Sequence, residues 1–209
     1  KICAPFWSET LTGSLTLHGV ERRLSRAVVT QAHLWGNHWP RRWAWAHTSL
    51  LSQKGEEGPP LVLELLSASL PYGWMGKRTW TSCCLAGTEV CHEISGVLQG
   101  LRVSSQFSPG EWRMRGVCQG RDLEVTVTAP LTSLVCAHAR EAGGGDRYCA
   151  HTGHAAARVV LRSRTPHREE EVWEAPTGVH FEVGGDQPFA ENIPRVFSWT
   201  GERAGGPSR

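Results

Sequence analysis

The sequence predicts an all-β protein built from antiparallel strands and folded as a barrel or a β-sandwich. Short runs with the composition of strands recur along the chain, and Gly, Pro or polar pairs separate them, whereas helical periodicity is hard to find. Because antiparallel strands alternate between two faces, they must close or stack in order to bury the apolar face. A barrel or a sandwich is therefore the economical architecture.

The candidate strands follow one another at short intervals. They comprise residues 14–20, 24–32, 42–51, 61–70, 79–85, 89–94, 101–107, 111–119, 122–129, 134–139, 155–164, 170–175 and 179–183. Turn-forming residues lie between several of these runs, at 86–87, 108–110, 120–121, 142–146 and 184–186. Residues 61–70 are also compatible with a very short helix, although Pro60 and Pro71 on either side favour a strand.

The chain length suits a single domain. With 209 residues the chain can bury a substantial core. We expect one β domain over residues 1–200, either by itself or as one lobe of a longer two-lobe protein. The chain begins with Lys1 instead of Met, which favours a processed or incomplete form. Residues 201–209 lack an apolar pattern and are expected to form a flexible tail.

The composition argues against several classes of protein. The 22 basic and 20 acidic residues give a net charge of +2 with scattered cations, so a nucleic-acid partner is not expected. The sequence has no apolar run as long as a transmembrane segment and no signal segment at its start, which predicts a soluble, cytoplasmic protein. It also lacks glycine-rich phosphate loops, the nucleophile-elbow motif and the His-Glu-x-x-His motif, so we expect no cofactor.

The seven cysteines do not predict a disulfide framework, because their number is odd and Cys83 and Cys84 are adjacent. Cys84, Cys91 and His92 lack the closely spaced cysteine pair that is typical of zinc sites, so we expect no metal. Most of these thiols are expected to be small buried hydrophobes in a reducing compartment.

Residues 31–47, QAHLWGNHWPRRWAWAH, hold four tryptophans and three histidines. In a strand, Trp43, Trp45 and His47 would point to one face, and Ala44 and Ala46 to the other. Indole faces attract positive charge and an imidazole can transfer a proton, so an inward-pointing face would suit a pocket for a large apolar or cationic guest. The alternative is a packed Trp-rich core with a histidine at its edge.

Acid–base candidates lie elsewhere in the chain. His180 and Glu182 are two residues apart, so they share a strand face and could form a proton-handling pair. Desolvation would raise the pKa of such a carboxyl group and make it a general acid near neutral pH. The same spacing also fits an ordinary exposed face opposite a buried one. Glu64 lies within an apolar run, where it either serves the site or turns to solvent. Tyr148, which precedes Cys149, is a further candidate.

Together these residues form a pattern that resembles the tocopherol cyclase-like group, within the lipocalin-like proteins that include carotenoid 1,2-hydratases and cyclases of natural-product biosynthesis. The pattern is H-x-W-G followed by W-x-W-x-H, here residues 33–36 and 43–47. Weaker support comes from Tyr148-Cys149-Ala150-His151, from residues 155–164 and from residues 179–185. The resemblance spans residues 13–185.

The resemblance implies a lipocalin-like β barrel with a Trp-lined cavity for a hydrophobic isoprenoid- or polyketide-like substrate. It also implies cofactor-independent cyclase, hydratase or isomerase chemistry, by protonation of an alkene or by folding of a flexible substrate. The residues expected to serve in catalysis are His33, His47, His180 and Glu182. Those expected to bind the ligand are Trp35, Trp43, Trp45, Glu64 and Tyr148.

Two alternatives stay open at this point. A lipocalin-type carrier would use the same indoles to hold an apolar ligand without chemistry, and a purely structural β domain would bury them as core. Members of the group are usually longer than this chain. Half of a composite pocket would then be absent, and the chain would be either a folded remnant or a subunit that needs a second copy in a homo-oligomer.

Overall fold

A computed structural model describes residues 2–34, 40–55, 58–71, 77–87, 90–140, 144–164, 170–191 and 193–199. It confirms the all-β class, because almost every element in these ranges is a strand and nearly all the pairings are antiparallel. The chain divides into two compact units, Lys1–Trp39 and Pro40–Arg209. The organisation of residues 1–200 as one domain stays a prediction, and the predicted tail lies outside the described residues.

The first unit is a long hairpin of β1 (Ile2–Leu17) and β2 (Val20–Leu34). Its turn is formed by His18 and Gly19, which have φ angles of 50° and 78°. Two residues with positive φ match the right-handed twist of the paired strands, as in tight hairpin turns. The predicted strand at 14–20 is therefore wrong at its end, because the chain reverses within it.

The second unit is built on one large sheet. Its elements are β3 (Arg42–Gln53), β4 (Leu61–Pro71), β5 (Lys77–Ala86), β6 (Cys91–Ile94), α1 (Val97–Gly100), β7 (Ser104–Ser108), β8 (Glu111–Cys118), β9 (Arg121–Thr128), β10 (Val135–Arg140), β11 (Asp146–Ser163), β12 (Glu171–Gly185) and β13 (Arg195–Trp199). Hydrogen-bonded neighbours follow the order β6-β5-β4-β3-β12-β11-β9-β8-β7, and β10 pairs with β11 and, in parallel, with β13. No helix within the described ranges is long and apolar enough to cross a membrane.

One face of this sheet encloses the main core. Alternate residues of the strands are buried there, as the period of two requires. The core includes Ala44, Ala46, Leu63, Leu85, Trp112, Val125, Val159 and Phe181. Each large apolar side chain removed from water contributes about 1.5–3 kcal/mol before the entropy of ordering is subtracted. A smaller cluster of Leu134, Cys136, Ala150 and Ile193 lies beside Tyr148, and Phe189 packs against both clusters.

The two ends of the sheet, β6 and β7, are consecutive in sequence and joined through α1. Ser67 Oγ of β4 lies 2.7 Å from Ser105 Oγ of β7, and Trp112 Nε1 donates to the same Ser105 oxygen at 2.9 Å. A second contact joins β8 to β6, where the Cys118 thiol donates to the backbone carbonyl of Glu93. Side chains near the two ends of the sheet thus meet, although no backbone ladder joins β6 to β7 within the described part of the chain.

Two other strand predictions are corrected by the structure. β11 begins at Asp146, well before residue 155, because its first half forms ladders with both β10 and β12. β12 is continuous, where two strands were predicted on either side of Pro176. Its pairing with both neighbours is irregular around this proline, which accommodates a residue that cannot donate a ladder hydrogen bond.

Candidate functional site

The aromatic residues of β3 share one face of the strand, as the alternation predicted. Trp43, Trp45 and His47 alternate with Ala44 and Ala46, and the two alanines lie in the main core. The three aromatic side chains lie on the face of the sheet opposite the main core. The small alanines take the crowded inner positions, which leaves the bulky rings on the outer face of the sheet.

Four adjacent strands, β11, β12, β3 and β4, bring most of the predicted site residues together on this outer face. Their side chains form the outer-face cluster, which comprises Trp43, Trp45, His47, Glu64, Cys149, His151, His180 and Glu182. The strand register arranges them in rows. Glu182 is paired with both His151 and Trp45, and His47 is paired with both His180 and Glu64.

The Glu64 carboxylate holds two rings of the cluster. Its Oε1 accepts a hydrogen bond of 2.6 Å from Trp45 Nε1, and its Oε2 lies 2.7 Å from His47 Nδ1. The side chains of His47 and Glu64 are only 7% and 17% exposed. Charge-assisted hydrogen bonds of this length are strong when they are shielded from water. Glu64 therefore fixes the positions of an indole and an imidazole.

Glu182 has a corresponding position on β12, on the other side of β3. Its Oε1 accepts a hydrogen bond of 2.7 Å from Trp43 Nε1, and its Oε2 lies 3.8 Å from His180 Nε2. Burial alone would raise the pKa of this carboxyl, but the imidazole of His180 and the indole N–H of Trp43 outweigh burial, and the pKa is lowered. This direction is opposite to the raised pKa that the sequence predicted for a general acid at this position.

His180 is a partly exposed imidazole of the cluster, with a side chain that is 39% exposed. Its ring lies 4.8 Å from the Trp45 ring and 6.4 Å from the His151 ring, centroid to centroid. Nε2 is buried and has no hydrogen-bond partner among the described residues. The ring can thus meet a ligand at its exposed edge while Glu182 stabilises a positive charge on it.

Cys149 and His151 were not among the predicted site residues. The alternation in Tyr148-Cys149-Ala150-His151 placed both on one face, just as it did for His180 and Glu182, so the signal was present. Burial, followed by the Glu182 carboxylate, raises the pKa of the Cys149 thiol. The thiol is therefore neutral at physiological pH and is a poor nucleophile.

Tyr148 does not join the cluster, because it lies on the opposite face of β11, beside the smaller apolar cluster. Its ring stacks on His138 with centroids 4.9 Å apart. His33 belongs to β2 in the first unit, where its backbone pairs with that of Cys3. Trp35 lies outside the described residues.

The polar groups of the cluster contact one another and the indoles. In the ranges that the structure describes, no three His, Cys, Asp or Glu side chains are arranged to hold a metal ion. The carboxylates instead accept hydrogen bonds from indoles and lie beside imidazoles. Such an arrangement can move a proton and offers aromatic ring faces to an apolar or cationic group.

Comparison with protein families, with curated proteins and with solved structures gives no match to this chain. The resemblance to the tocopherol cyclase-like group therefore stays a prediction from sequence motifs. The case for a function depends on the geometry of the outer-face cluster.

Proposed function

We propose that the protein is a cofactor-independent enzyme that protonates an alkene of a hydrophobic isoprenoid- or polyketide-like substrate at the outer-face cluster. This activity is of the tocopherol cyclase-like or carotenoid 1,2-hydratase-like type. The position of His180 carries the proposal. This accessible imidazole lies between the Trp45 ring and a Glu182 carboxylate whose pKa is lowered.

In the proposed step, protonated His180 donates the proton on Nδ1 to one alkene carbon, since Nε2 is buried beside Glu182. The π electron pair forms the new C–H bond and leaves a cation on the neighbouring carbon. A hydroxyl group of the substrate captures this cation in a cyclisation, or water captures it in a hydration. The proton that the captured oxygen loses then returns to His180, so the enzyme ends as it began.

The other cluster residues have supporting roles in this proposal. Glu182 stays ionised and stabilises the imidazolium 3.8 Å away. Trp45 offers its ring face to the developing cation, because the π system attracts positive charge. Glu64 and His47 are positioning residues, since the hydrogen bond from Trp45 to Glu64 fixes the indole.

The proposed architecture places the substrate outside the sheet. In this interpretation the large sheet is a lipocalin-like barrel with a packed interior, which serves as a rigid support for the outer-face cluster. A second copy of the chain would cover the substrate and exclude water in a cytoplasmic homo-oligomer. Exclusion of water strengthens the electrostatic interactions that stabilise the cation.

The test is product analysis in heavy water. The full chain is incubated in D2O with a panel of prenylquinones and carotenoids, and the products are analysed by mass spectrometry. An enzyme of this type leaves one carbon-bound deuterium per turnover. The variant His180→Ala should reduce the rate by about 10²–10⁴-fold. The matched control is His154→Ala, because His154 is an exposed histidine of β11.

A carrier would return every ligand intact and without carbon-bound deuterium, although the ligand would quench tryptophan fluorescence. Binding without deuterium incorporation therefore overturns the enzyme proposal and favours the carrier. Equal loss of rate in His180→Ala and His154→Ala would overturn the role of His180. Circular dichroism of each variant shows whether it is folded.

A further inference from the structure

A cavity of about 490 Å³ lies beside the smaller apolar cluster. Its lining includes Cys136, Tyr148, Phe189, Glu191, Ile193 and Arg195. We infer that this cavity binds a small monocarboxylate with an apolar body, and that Arg195 anchors the carboxylate. A volume in this range is typical of small-molecule sites.

Arg195 has the geometry of an anion anchor. Its Cζ lies 5.5 Å from the centroid of the Tyr148 ring, and its side chain forms no ion pair or hydrogen bond with any described residue. A guanidinium held against an aromatic ring keeps its N–H groups available, and their fork matches a carboxylate. The cation–π contact thus orients a guanidinium that no carboxylate of the described residues pairs with.

The Tyr148 ring is itself held in place. It stacks on the His138 ring, and His138 Nε2 lies 2.9 Å from Asp146 Oδ1. This chain of contacts runs from β10 across to β11, and β13 carries Arg195 alongside β10. Residues of β10 and β11 therefore hold the ring against which the exposed Arg195 of β13 lies, and a ring that is already in place lowers the entropy cost of binding.

Glu191 limits the charge of the ligand. It also lines the cavity, and no ion pair joins it to Arg195 or to any other described residue. One anchoring cation beside one carboxylate accepts a single negative charge, whereas a second charge would be repelled. Phe189 and Ile193 belong to the apolar walls and are suited to an aliphatic or aromatic body.

The inference is independent of the proposed function. Tyr148 points to one face of β11, and Cys149 and His151 of the outer-face cluster point to the other. A ligand in this cavity would therefore lie on the far side of the strand from His180. A variant that abolishes ligand binding in this cavity should therefore leave the activity of the outer-face cluster measurable, and the reverse.

The test uses three probes with the same three-carbon chain in titration calorimetry with the full chain: 3-phenylpropionate, 3-phenylpropan-1-ol and 3-phenylpropan-1-amine. The acid should bind about tenfold more tightly than the alcohol, which corresponds to one charge-assisted contact. Arg195→Gln should abolish this preference. Glu191→Gln should tighten binding of the acid, because a like charge is removed. Arg113→Gln is the matched control, since Arg113 is an exposed arginine of β8.

Equal affinity for the acid and the alcohol overturns the inference, as does tighter binding of the amine, which would make Glu191 the anchor. An acid preference that persists in Arg195→Gln also overturns the role of Arg195. If a variant fails to fold, as judged by its thermal transition, the three probes with the unchanged protein still decide the question.

Discussion

The indole of Trp43 lies against Gly184, its cross-strand partner on β12, and occupies the space that a Cβ atom at residue 184 would take. The contact lets the Trp43 ring lie low over the sheet, where it is 5% exposed. It also brings Nε1 to the Glu182 carboxylate. Because Gly184 has no side chain, the Trp43 indole can reach the Glu182 carboxylate and hold it by a hydrogen bond.

The first prediction concerns this contact. Gly184→Ala should lower the free energy of unfolding by about 2–3 kcal/mol, because the new methyl group overlaps the indole and forces one strand to shift. The measurement is urea denaturation followed by circular dichroism. The neighbouring Gly185→Ala is the control, because a Cβ there would meet its nearest atom, the Arg41 carbonyl oxygen, at an ordinary 3.4 Å.

The overlap can be relieved from the other side. The double variant Trp43→Leu, Gly184→Ala should lose less free energy of unfolding than the sum of the losses in the two single variants. The smaller side chain leaves room for the methyl group. If the losses of unfolding free energy in the two single variants add exactly in the double variant, the account of this contact is contradicted. Equal losses in Gly184→Ala and Gly185→Ala would contradict it too.

A second prediction concerns the inner hydroxyl network that ties β7 to β4. Ser105→Ala removes the acceptor of the Trp112 indole N–H and the partner of Ser67, and it leaves both buried groups without that bond. The expected loss of stability is about 1–3 kcal/mol. Ser104→Ala at the adjacent, exposed position should be close to neutral. Loss of the same size in both variants would mean that the network contributes nothing specific.

A third prediction follows from the lowered pKa of Glu182, whose ordinary value is 4.5. A carboxyl whose pKa is lower in the folded state stabilises the fold above its unfolded pKa, and this contribution is lost as pH falls through the folded pKa. The stability advantage of the unchanged protein over Glu182→Gln should therefore shrink between about pH 5 and pH 2. If the stability difference between the two proteins stays constant or grows as the pH falls, the lowered pKa of Glu182 is contradicted.

A fourth prediction concerns the thiols. Burial raises the pKa of Cys83, and burial together with Cys91 and Glu93 raises that of Cys84 to about 12, whereas Cys91 is exposed. Iodoacetamide should therefore modify Cys91 before Cys83 and Cys84 in the folded protein, since the thiolate is the reactive form and Cys91 is accessible. Peptide mass spectrometry gives the order. Modification of Cys83 at the rate of Cys91 before unfolding would show that the core is not packed as described.

Much of the fold could be predicted from the sequence because the period of two is a local property. It correctly placed Trp43, Trp45 and His47 on one face of β3, and His180 beside Glu182 on β12. It could not say which face is inward. That choice depends on the neighbouring strands, whose Leu63, Leu65 and Phe181 require small partners and so take the alanine side of β3 as core.

The site could be predicted only in part for the same reason. Glu64 and Glu182 were singled out as polar residues in apolar runs, but their roles depend on strand register, which sets Glu64 opposite His47 and Trp45 opposite Glu182. A register is a long-range property, and one residue of slip would reverse every face. The lowered pKa of Glu182 depends likewise on donors from two strands.

Imidazole NMR tests the central claim most directly, because it reports which histidine meets an apolar ligand. A short-chain prenylquinone is titrated into the full chain, and the ring nitrogen resonances of His180, His154 and His138 are followed. The account predicts a saturable shift at His180 and none at His154. A shift confined to His138, beside the Tyr148 cavity, or no shift at any histidine when the ligand is bound, would contradict it.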